Sequence, residues 1–300
     1  MTAGVIVISV IALGAAIWWH PKADEFLGPA DFSGQPIPPP ASSSSVGQTT
    51  FNGVLTFTNV DRTMVAKLLP PGYSLAKNLS FWLKTKHPVA LLFGDQTDGR
   101  QFVAGQPVPV LPADRVHYSE TILAIPFVQK TNDVGWHTYI VRMYLDNQIA
   151  VNGGALYGYK KKFTCLDWTG KKVEIWRQSA VCPPTYLGSK QELLTGDFRF
   201  TGVWLDGSAA MSQLANFDDM FAIWTTRILG RTAIGTSVCS YFEWDLANAR
   251  VSRAKTSYEL PTPPTSKMTA WPGLGDLDSV KLGAVAVRGL RWRLALPFSC

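Results

Sequence analysis

Three adjacent lysines, Lys160, Lys161 and Lys162, are the residues of this 300-residue chain whose types and spacing most directly suggest chemistry. In a β-strand, successive side chains point to opposite faces, so Lys161 points away from the face that Lys160 and Lys162 share. If one face is core, an inward amine is pushed by burial and like charge toward its neutral, nucleophilic form. Such an amine can attack a ketone and form a Schiff base. The competing interpretation is a solvated turn or strand edge, the usual setting of a lysine run.

The residues that precede the lysines favour the catalytic interpretation. The stretch "MYLDNQIAVNGGALYGYKKKF", residues 143–163, resembles the active-site segment of the acetoacetate decarboxylase family, in which Met-Tyr-Leu-Asp-Asn precedes a glycine-rich stretch and then Tyr-Pro-Lys-Lys. With Tyr159 aligned on the family tyrosine, Lys160 takes the place of the proline. The resemblance then implies that Lys161 is the Schiff-base lysine and that Lys162 is the neighbouring cation that lowers its pKa.

A second stretch agrees with this alignment. "YSETILAIPF", residues 118–127, is similar to a family segment with Tyr-Thr-Glu followed by Ile-Pro, and it aligns Glu120 with the active-site glutamate. A carboxylate beside the amine can transfer protons as the Schiff base forms. Without the resemblance, Glu120 would be read as a surface residue of an edge strand. Weaker similarities, at "VDRTMVAKLLPPGYSL", "ANARVSRAKTSYEL" and "LRWRLALP", extend the likeness over residues 50–297.

The chain also departs from the family pattern. The arginine that the decarboxylases carry before their early helix aligns near Asn59, and a second family glutamate aligns within the apolar "PVALLF". The family Gly-Arg-Glu before the lysines becomes Gly153, Gly154 and Ala155. Loss of the arginine predicts that the substrate acid is held differently, or that the substrate is not an acid. The Schiff-base residues are kept while substrate recognition is changed.

The elements that must position these residues are mostly strands. Runs such as "VALLF", "HTYIVRMYL", "KKVEIWRQ" and "LRWRLAL" are rich in β-branched and aromatic residues and are bounded by turn-forming residues. Helical spacing predicts one short helix in "VDRTMVAKLLPPG", a second at "MSQLANFDDMFAIW" and a third near "GDLDSVKLGAVAV". Asp146 and Asn147 are interpreted as a turn. The fold class predicted is mainly β (α+β), an acetoacetate-decarboxylase-like β-barrel or large antiparallel sheet with a few peripheral helices.

Three segments divide the chain. Residues 1–20 are hydrophobic, with no charge from Ala3 to Trp19, and the length of this run predicts a membrane anchor. A secretory signal that is later cleaved is the alternative, although no Lys or Arg precedes the run; a buried terminal helix is the third possibility. Residues 21–49 read as a Pro/Ser-rich linker. Residues 50–300 are predicted to form the catalytic domain.

Composition restricts the partners. The net charge is +6 and the basic residues form no periodic stripe, so nucleic acid is not an expected partner. Four cysteines lack metal-ligand spacing, so no metal or cofactor is expected, and they are either buried thiols or disulfides outside the cytosol. A small keto compound is the expected substrate, and the resemblance implies a homo-oligomer.

The function predicted from these observations is decarboxylation of a β-keto acid to a ketone through an iminium and an enamine. Lys161, Lys162 and Glu120 are the predicted catalytic residues. Two alternatives stay open: aldolase or dehydratase chemistry that uses the same lysine, and a non-catalytic barrel that binds a hydrophobic ligand. A pair of amines in a cavity is costly without a use, which argues against the last.

Overall fold

A computed structural model describes residues 45–76, 85–103, 106–107, 116–131, 135–156, 159, 161–168, 172–177, 191–200, 205–206, 223–224, 227–231, 237–259, 277–278 and 284–300. The helices described are α1 (Arg62–Ala66) and α2 (Gln148–Leu156). The strands are β1 Ser45–Asp61, β2 Tyr73–Leu75, β3 Lys86–Val103, β4 Gln106–Pro107, β5 Val116–Lys130, β6 His137–Leu145, β7 Lys161–Phe163, β8 Cys165–Trp168, β9 Lys172–Arg177, β10 Gln191–Phe200, β11 Leu205–Asp206, β12 Arg227–Arg231, β13 Ser237–Asp245, β14 Arg250–Glu259, β15 Leu277–Asp278, β16 Ala284–Ala295 and β17 Phe298–Ser299.

Seven of the described strands close into a barrel. The pairing runs from β1 to β3, β5 and β6, continues through β12, β13 and β16, and returns to β1. Every pair in this ring is antiparallel except β6 with β12. Closure pairs both sides of each strand, so none of the seven presents a free edge. The prediction of a mainly β barrel with few helices is therefore confirmed.

A second group of strands continues the sheet away from the barrel. Strand β14 pairs with β16, β10 pairs with β14, and β9 and β8 follow in antiparallel order. The long strand β16 thus belongs both to the barrel and to this extension.

Apolar residues are buried on both faces of the barrel strands. Leu92, Ile122 and Ala124 belong to one hydrophobic cluster, whereas their neighbours Leu91 and Leu123 belong to another. Alternation explains this division, because consecutive residues face opposite sides of a strand. Strands that are buried on both sides read as continuous apolar runs, which accounts for "VALLF".

Helix α1 matches the helix predicted in "VDRTMVAKLLPPG". The Asp61 carboxylate caps it by accepting hydrogen bonds from the amides of Thr63 (2.9 Å) and Met64 (3.3 Å). The Arg62 guanidinium donates to the carbonyls of Leu75 (3.2 Å) and Ala76 (2.6 Å). This arginine therefore secures the chain that leaves the helix.

Two other local predictions are corrected. The segment 275–287, expected to be helical, contains β15 and the start of β16 where it is described, because "AVAV" supplies the two-residue alternation of a strand. Asn147 is the cap of α2 and not part of a simple turn: its side-chain oxygen accepts from the amides of Ile149 (2.9 Å) and Ala150 (3.2 Å). The helix predicted at 211–224 lies almost entirely outside the described residues.

The predicted membrane anchor is wrong. Among the residues that the structure describes, no helix is long and apolar enough to cross a membrane. The two described helices have 5 and 9 residues, whereas a spanning helix needs about 20. The segment 3–19, from which anchoring or secretion was predicted, lies outside the described residues.

The cysteines are oxidised where the structure describes them. Cys239 and Cys300 form a disulfide across 61 residues, and Cys165 is also disulfide-bonded. Lys130 donates a hydrogen bond to the Cys300 carbonyl. The end of the chain is thereby joined to barrel strand β13 and to β5.

Candidate active site

Lys161 enters the barrel from a short strand that follows helix α2. The Tyr159 amide donates to the Gly154 carbonyl (3.2 Å), and the Lys161 amide donates to the Tyr159 carbonyl (2.9 Å). Strand β7 then pairs in parallel with β6, so that Lys161 lies opposite Met143. Lys161 is partly buried and Lys162 is exposed. The predicted alternation of faces is therefore present, with Lys161 directed inward.

Gly154 makes room for the lysine side chain. A Cβ atom at this glycine would lie 2.2 Å from both Cδ and Cε of Lys161 and 2.9 Å from its Nζ. Real Cβ atoms do not approach other heavy atoms at such distances, so only glycine allows the lysine to lie across the helix here. The "NGG" of α2 is thus part of the lysine site.

Glu120 is the second predicted catalytic residue inside the barrel. It lies on β5 opposite Gly94 and Leu145, and only 1% of its surface is exposed. The Gln96 side-chain amide donates a hydrogen bond to Oε1 of Glu120. Within the described part of the chain, Oε2 has no hydrogen-bond partner. A buried oxygen without a partner is costly and can accept or release a proton.

A tryptophan fixes the orientation of this hydrogen bond. Trp292 Nε1 donates to Oε1 of Gln96 over 3.0 Å. Because an indole nitrogen only donates, the Gln96 oxygen must face Trp292 and its NH₂ must face Glu120. Oε1 of Glu120 is therefore an acceptor, and any proton on this carboxyl sits on Oε2.

Burial shifts the pKa values of Lys161 and Glu120 toward their neutral forms, and the two groups interact electrostatically. Burial lowers the pKa of the Lys161 amine, and the charge of Glu120 opposes this shift. Burial raises the pKa of the Glu120 carboxyl, while Lys161 and the Gln96 hydrogen bond lower it. Each group thus holds its charge less firmly than it would in water. The amine can become a nucleophile while the carboxyl carries a proton.

The structure brings two of the three predicted catalytic residues together. Lys161 and Glu120 interact electrostatically inside the barrel. Lys162 lies opposite Tyr144 and is exposed, on the face away from Lys161. The neighbouring Lys160 lies outside the described residues. The role of Lys162 stays a prediction.

A small cavity lies over the lysine. Its volume is about 60 Å³, and its lining includes Lys161, Tyr118, Arg100 and Trp292. Burial, with the charge of Glu120, raises the pKa of the Tyr118 phenol well above its usual range, so this phenol stays neutral. A larger cavity of about 620 Å³ adjoins the first, and Arg100 and Trp292 line both.

Asn59 does not lie at this site. Asn59 pairs with Pro88 of β3. The residue of β1 at the level of Glu120 is Gly53, because Gly53 pairs with Gly94 and Gly94 pairs with Glu120. Asn59 lies six residues further along β1. Six strand residues correspond to about 20 Å. Asn59 therefore supplies no contact to the cavity, and the arginine that lines it is Arg100.

Several site residues were not recognised in the sequence: Gln96, Arg100, Gly154 and Trp292. The polar run "GDQTDGR" directly after "VALLF" was the available signal for the first two, because an apolar strand that turns polar often marks a functional edge. Trp292 had no such signal, since tryptophans on strands are usually core residues.

Comparison with known proteins supports the fold. No protein-family model matches the chain, and no curated protein matches it. Among solved structures, the enduracididine biosynthesis enzyme MppR, complexed with the condensation product of pyruvate and imidazole 4-carboxaldehyde, is similar with a TM-score of 0.53 and 10% identity. That match covers 87% of this chain and 88% of MppR.

Two further structures agree. An acetoacetate decarboxylase-like enzyme from Sphingomonas wittichii RW1 has a TM-score of 0.53 and 13% identity, covering 86% of this chain and 94% of its own. Acetoacetate decarboxylase from Legionella pneumophila subsp. pneumophila str. Philadelphia 1 has a TM-score of 0.50 and 12% identity, covering 86% and 90%. The fold of this chain is therefore that of the acetoacetate decarboxylase-like enzymes.

Proposed function

We propose that this chain is a Schiff-base lysine enzyme that decarboxylates a β-keto acid to a ketone. The observation that carries the proposal is Lys161, which lines a small cavity, together with the buried Glu120 that interacts with it electrostatically. An amine whose pKa is lowered by burial is the nucleophile that Schiff-base chemistry needs. The resemblance at residues 143–163 and 118–127 points to the same two residues.

The first half of the reaction joins substrate to enzyme. The neutral Lys161 amine attacks the ketone carbon and forms a carbinolamine. Glu120 donates its Oε2 proton to the departing hydroxyl, water leaves, and a protonated iminium remains. Gln96 keeps Oε1 of Glu120 occupied, so the carboxyl presents its other oxygen to the reaction.

The second half releases the products. The bond between the α-carbon and the carboxylate breaks, carbon dioxide leaves, and the electron pair passes to the iminium nitrogen to give an enamine. Solvent returns a proton to the Glu120 carboxylate, and Glu120 then protonates the enamine carbon. Water then hydrolyses the new iminium to release the ketone and regenerate the Lys161 amine. Protons and electrons balance without an added oxidant or reductant.

Aldol addition or dehydration of a keto compound is the second candidate. It would use the same iminium at Lys161 and break a different bond. One observation favours it: MppR, which shares the fold, was crystallised with a condensation product of pyruvate and an aldehyde. A barrel that only binds a hydrophobic ligand is less well supported, because a lysine and a glutamate line the interior.

Reductive trapping tests both enzyme proposals. We expect borohydride, added with acetone or acetoacetate, to give a stable adduct that mass mapping assigns to Lys161. The exposed Lys67 serves as the control site for nonspecific alkylation. An adduct spread evenly over surface lysines, or none at Lys161, would refute both chemistries. Carbon dioxide release from a panel of β-keto acids then separates decarboxylation from aldol chemistry, and no release across the panel contradicts the first.

Lys162 and the assembly state stay predictions. If Lys162 lowers the pKa of Lys161, Lys162→Ala should raise the pH at which the adduct forms, because a nearby positive charge has been removed. An unchanged pH profile would remove Lys162 from the mechanism. A homo-oligomer is the expected assembly state, and size-exclusion chromatography with light scattering measures it.

A further inference from the structure

The larger cavity beside the lysine site has a charged lining that the proposed reaction does not use. Its described lining includes Arg100, Arg291, Arg293, Asp98, Glu243 and Asp245, together with Trp244 and Trp292. Three arginines and three acidic residues make the lining polar and close to neutral in sum, and Arg293 already pairs with Glu243 over 3.2 Å. Asp98, Asp245, Arg291 and Arg293 are exposed to solvent; an apolar tail that covered them would remove water from their charges, whereas a polar tail can bond to them.

Arg100 stands at the junction of the two cavities. Of the described residues that line the small cavity, only Lys161 and Arg100 carry charge. Both line the same small cavity, whose volume is about 60 Å³. A substrate whose ketone reaches Lys161 therefore brings its carboxylate within reach of the Arg100 guanidinium, which matches a carboxylate in shape and charge.

A β-bulge directs Arg100 into this position. Between Gln96 and Gly99, β3 contains one more residue than β5, and its pairing with β1 shifts at the same place. Asp98 occupies the left-handed region with φ 57°. The Thr49 hydroxyl donates to the Thr97 carbonyl over 2.7 Å and holds the bulge against β1. Bulges beside functional sites commonly redirect a side chain in this way.

We propose that Arg100 is the substrate-carboxylate anchor and that the larger cavity binds a polar, charged tail of the substrate. The inference rests on the proposed function and narrows it: the substrate is a keto acid that is longer than acetoacetate and ends in a polar or zwitterionic group. Trp292 forms the wall between the two cavities, since it lines both and also holds Gln96.

Binding of a nonreactive analogue tests the anchor independently of Schiff-base formation. 3-Hydroxybutyrate has the carboxylate but no ketone, and its affinity is measured by titration calorimetry. We expect Arg100→Gln to weaken binding on the order of 10–100-fold, the usual effect of losing a charge-assisted pair. Arg253→Gln, at an exposed arginine of β14 outside both cavities, is the matched control and should bind as the native chain does. Equal affinity of all three proteins would overturn the proposal.

Trapping experiments connect the anchor to the reaction. In Arg100→Gln, the ratio of the acetoacetate trapping rate to the acetone trapping rate should fall on the order of 10–100-fold. Acetone has no carboxylate, so its trapping does not depend on the Arg100 guanidinium. An unchanged ratio overturns the anchor even when Lys161 is trapped normally. If no ketone is trapped in the native chain while Arg100→Gln still binds 3-hydroxybutyrate more weakly than the native chain does, the Schiff-base function is refuted and the role of Arg100 as carboxylate anchor is supported.

A matched pair of keto acids tests the tail. Each has the same chain length, and one ends in an ammonium-carboxylate group while the other ends in an alkyl group. We expect the trapping rate or the kcat/KM to be at least about 10-fold higher for the charged-tail compound, because one hydrogen bond to a charged group contributes about that much. Equal values, or a preference for the alkyl tail, would refute the assignment of the larger cavity.

Discussion

Gly154→Ala should disable Lys161 without weakening the helix that carries the substitution. The new Cβ would lie 2.2 Å from Cδ and Cε of Lys161, whereas carbon atoms prefer about 3.5–4.0 Å. These two atoms must therefore move by about 1.3 Å or more, and a misplacement of about 1 Å can cost on the order of 100-fold in rate. Alanine in place of glycine favours a helix by about 1 kcal/mol, so α2 itself should not be destabilised.

The assay is the rate of adduct formation with acetone and borohydride, together with the urea midpoint of unfolding. We expect the trapping rate to fall on the order of 100-fold while the midpoint changes little. Asn152→Ala is the matched control, because Asn152 is an exposed residue of the same helix, and its trapping rate should be native. Native trapping in Gly154→Ala would mean that Lys161 does not lie against Gly154 when it reacts, and the site geometry argued above would be refuted.

Three further changes test the charges and the disulfide. Glu120→Gln removes the negative charge that raises the pKa of Lys161, so the pH midpoint of trapping should move down. The maximal trapping rate should fall about 10²–10⁴-fold because the proton donor is lost. An unchanged midpoint would contradict the electrostatic interaction of Glu120 with Lys161. Replacing Cys239 and Cys300 by serine opens a 61-residue loop and should lower the free energy of unfolding by about 4 kcal/mol, measured in urea. Burial lowers the pKa of His87 from 6.5 to about 3, so as the pH falls the unfolded chain protonates this histidine before the folded chain does. The free energy of unfolding should therefore fall by about 1.4 kcal/mol per pH unit from pH 6.5 toward pH 3. His87→Gln should reduce this slope.

The lysine and the carboxylate that we propose to react could be found in the sequence because each lies in a contiguous segment. Lys161 and Glu120 were identified from residue patterns within about twenty positions of each, and strand alternation correctly directed Lys161 inward. Helix α2 was missed because Gly153 and Gly154 are poor helix formers. The structure explains Gly154: this glycine disfavours the helix, but its lack of a Cβ leaves space for the Lys161 side chain.

The rest of the site could not be read from the sequence because barrel closure assembles it. Gln96 and Trp292 are 196 residues apart and meet only when β16 pairs with β1. Arg100 reaches the cavity beside a bulge at Asp98, and its polar sequence run does not show which cavity the bulge serves. Long-range contacts of this kind depend on strand register, which periodicity alone does not determine.

The relative sizes of two effects decide how Lys161 is made reactive in this chain. Lys162 is exposed and lies on the opposite face. Two unit charges about 10 Å apart repel each other by about 1.7 kcal/mol at the effective dielectric constant of about 20 that suits protein sites, which would shift a pKa by about 1.2 units. Burial can lower the pKa of a lysine by several units, and it is the largest cause of the shift at Lys161. A protein with this fold can therefore change the residues around its lysine pair and keep a nucleophilic amine, provided that the barrel interior stays closed around Lys161. On this reasoning, opening the cavity to water should raise the pH midpoint of trapping more than removal of Lys162 does.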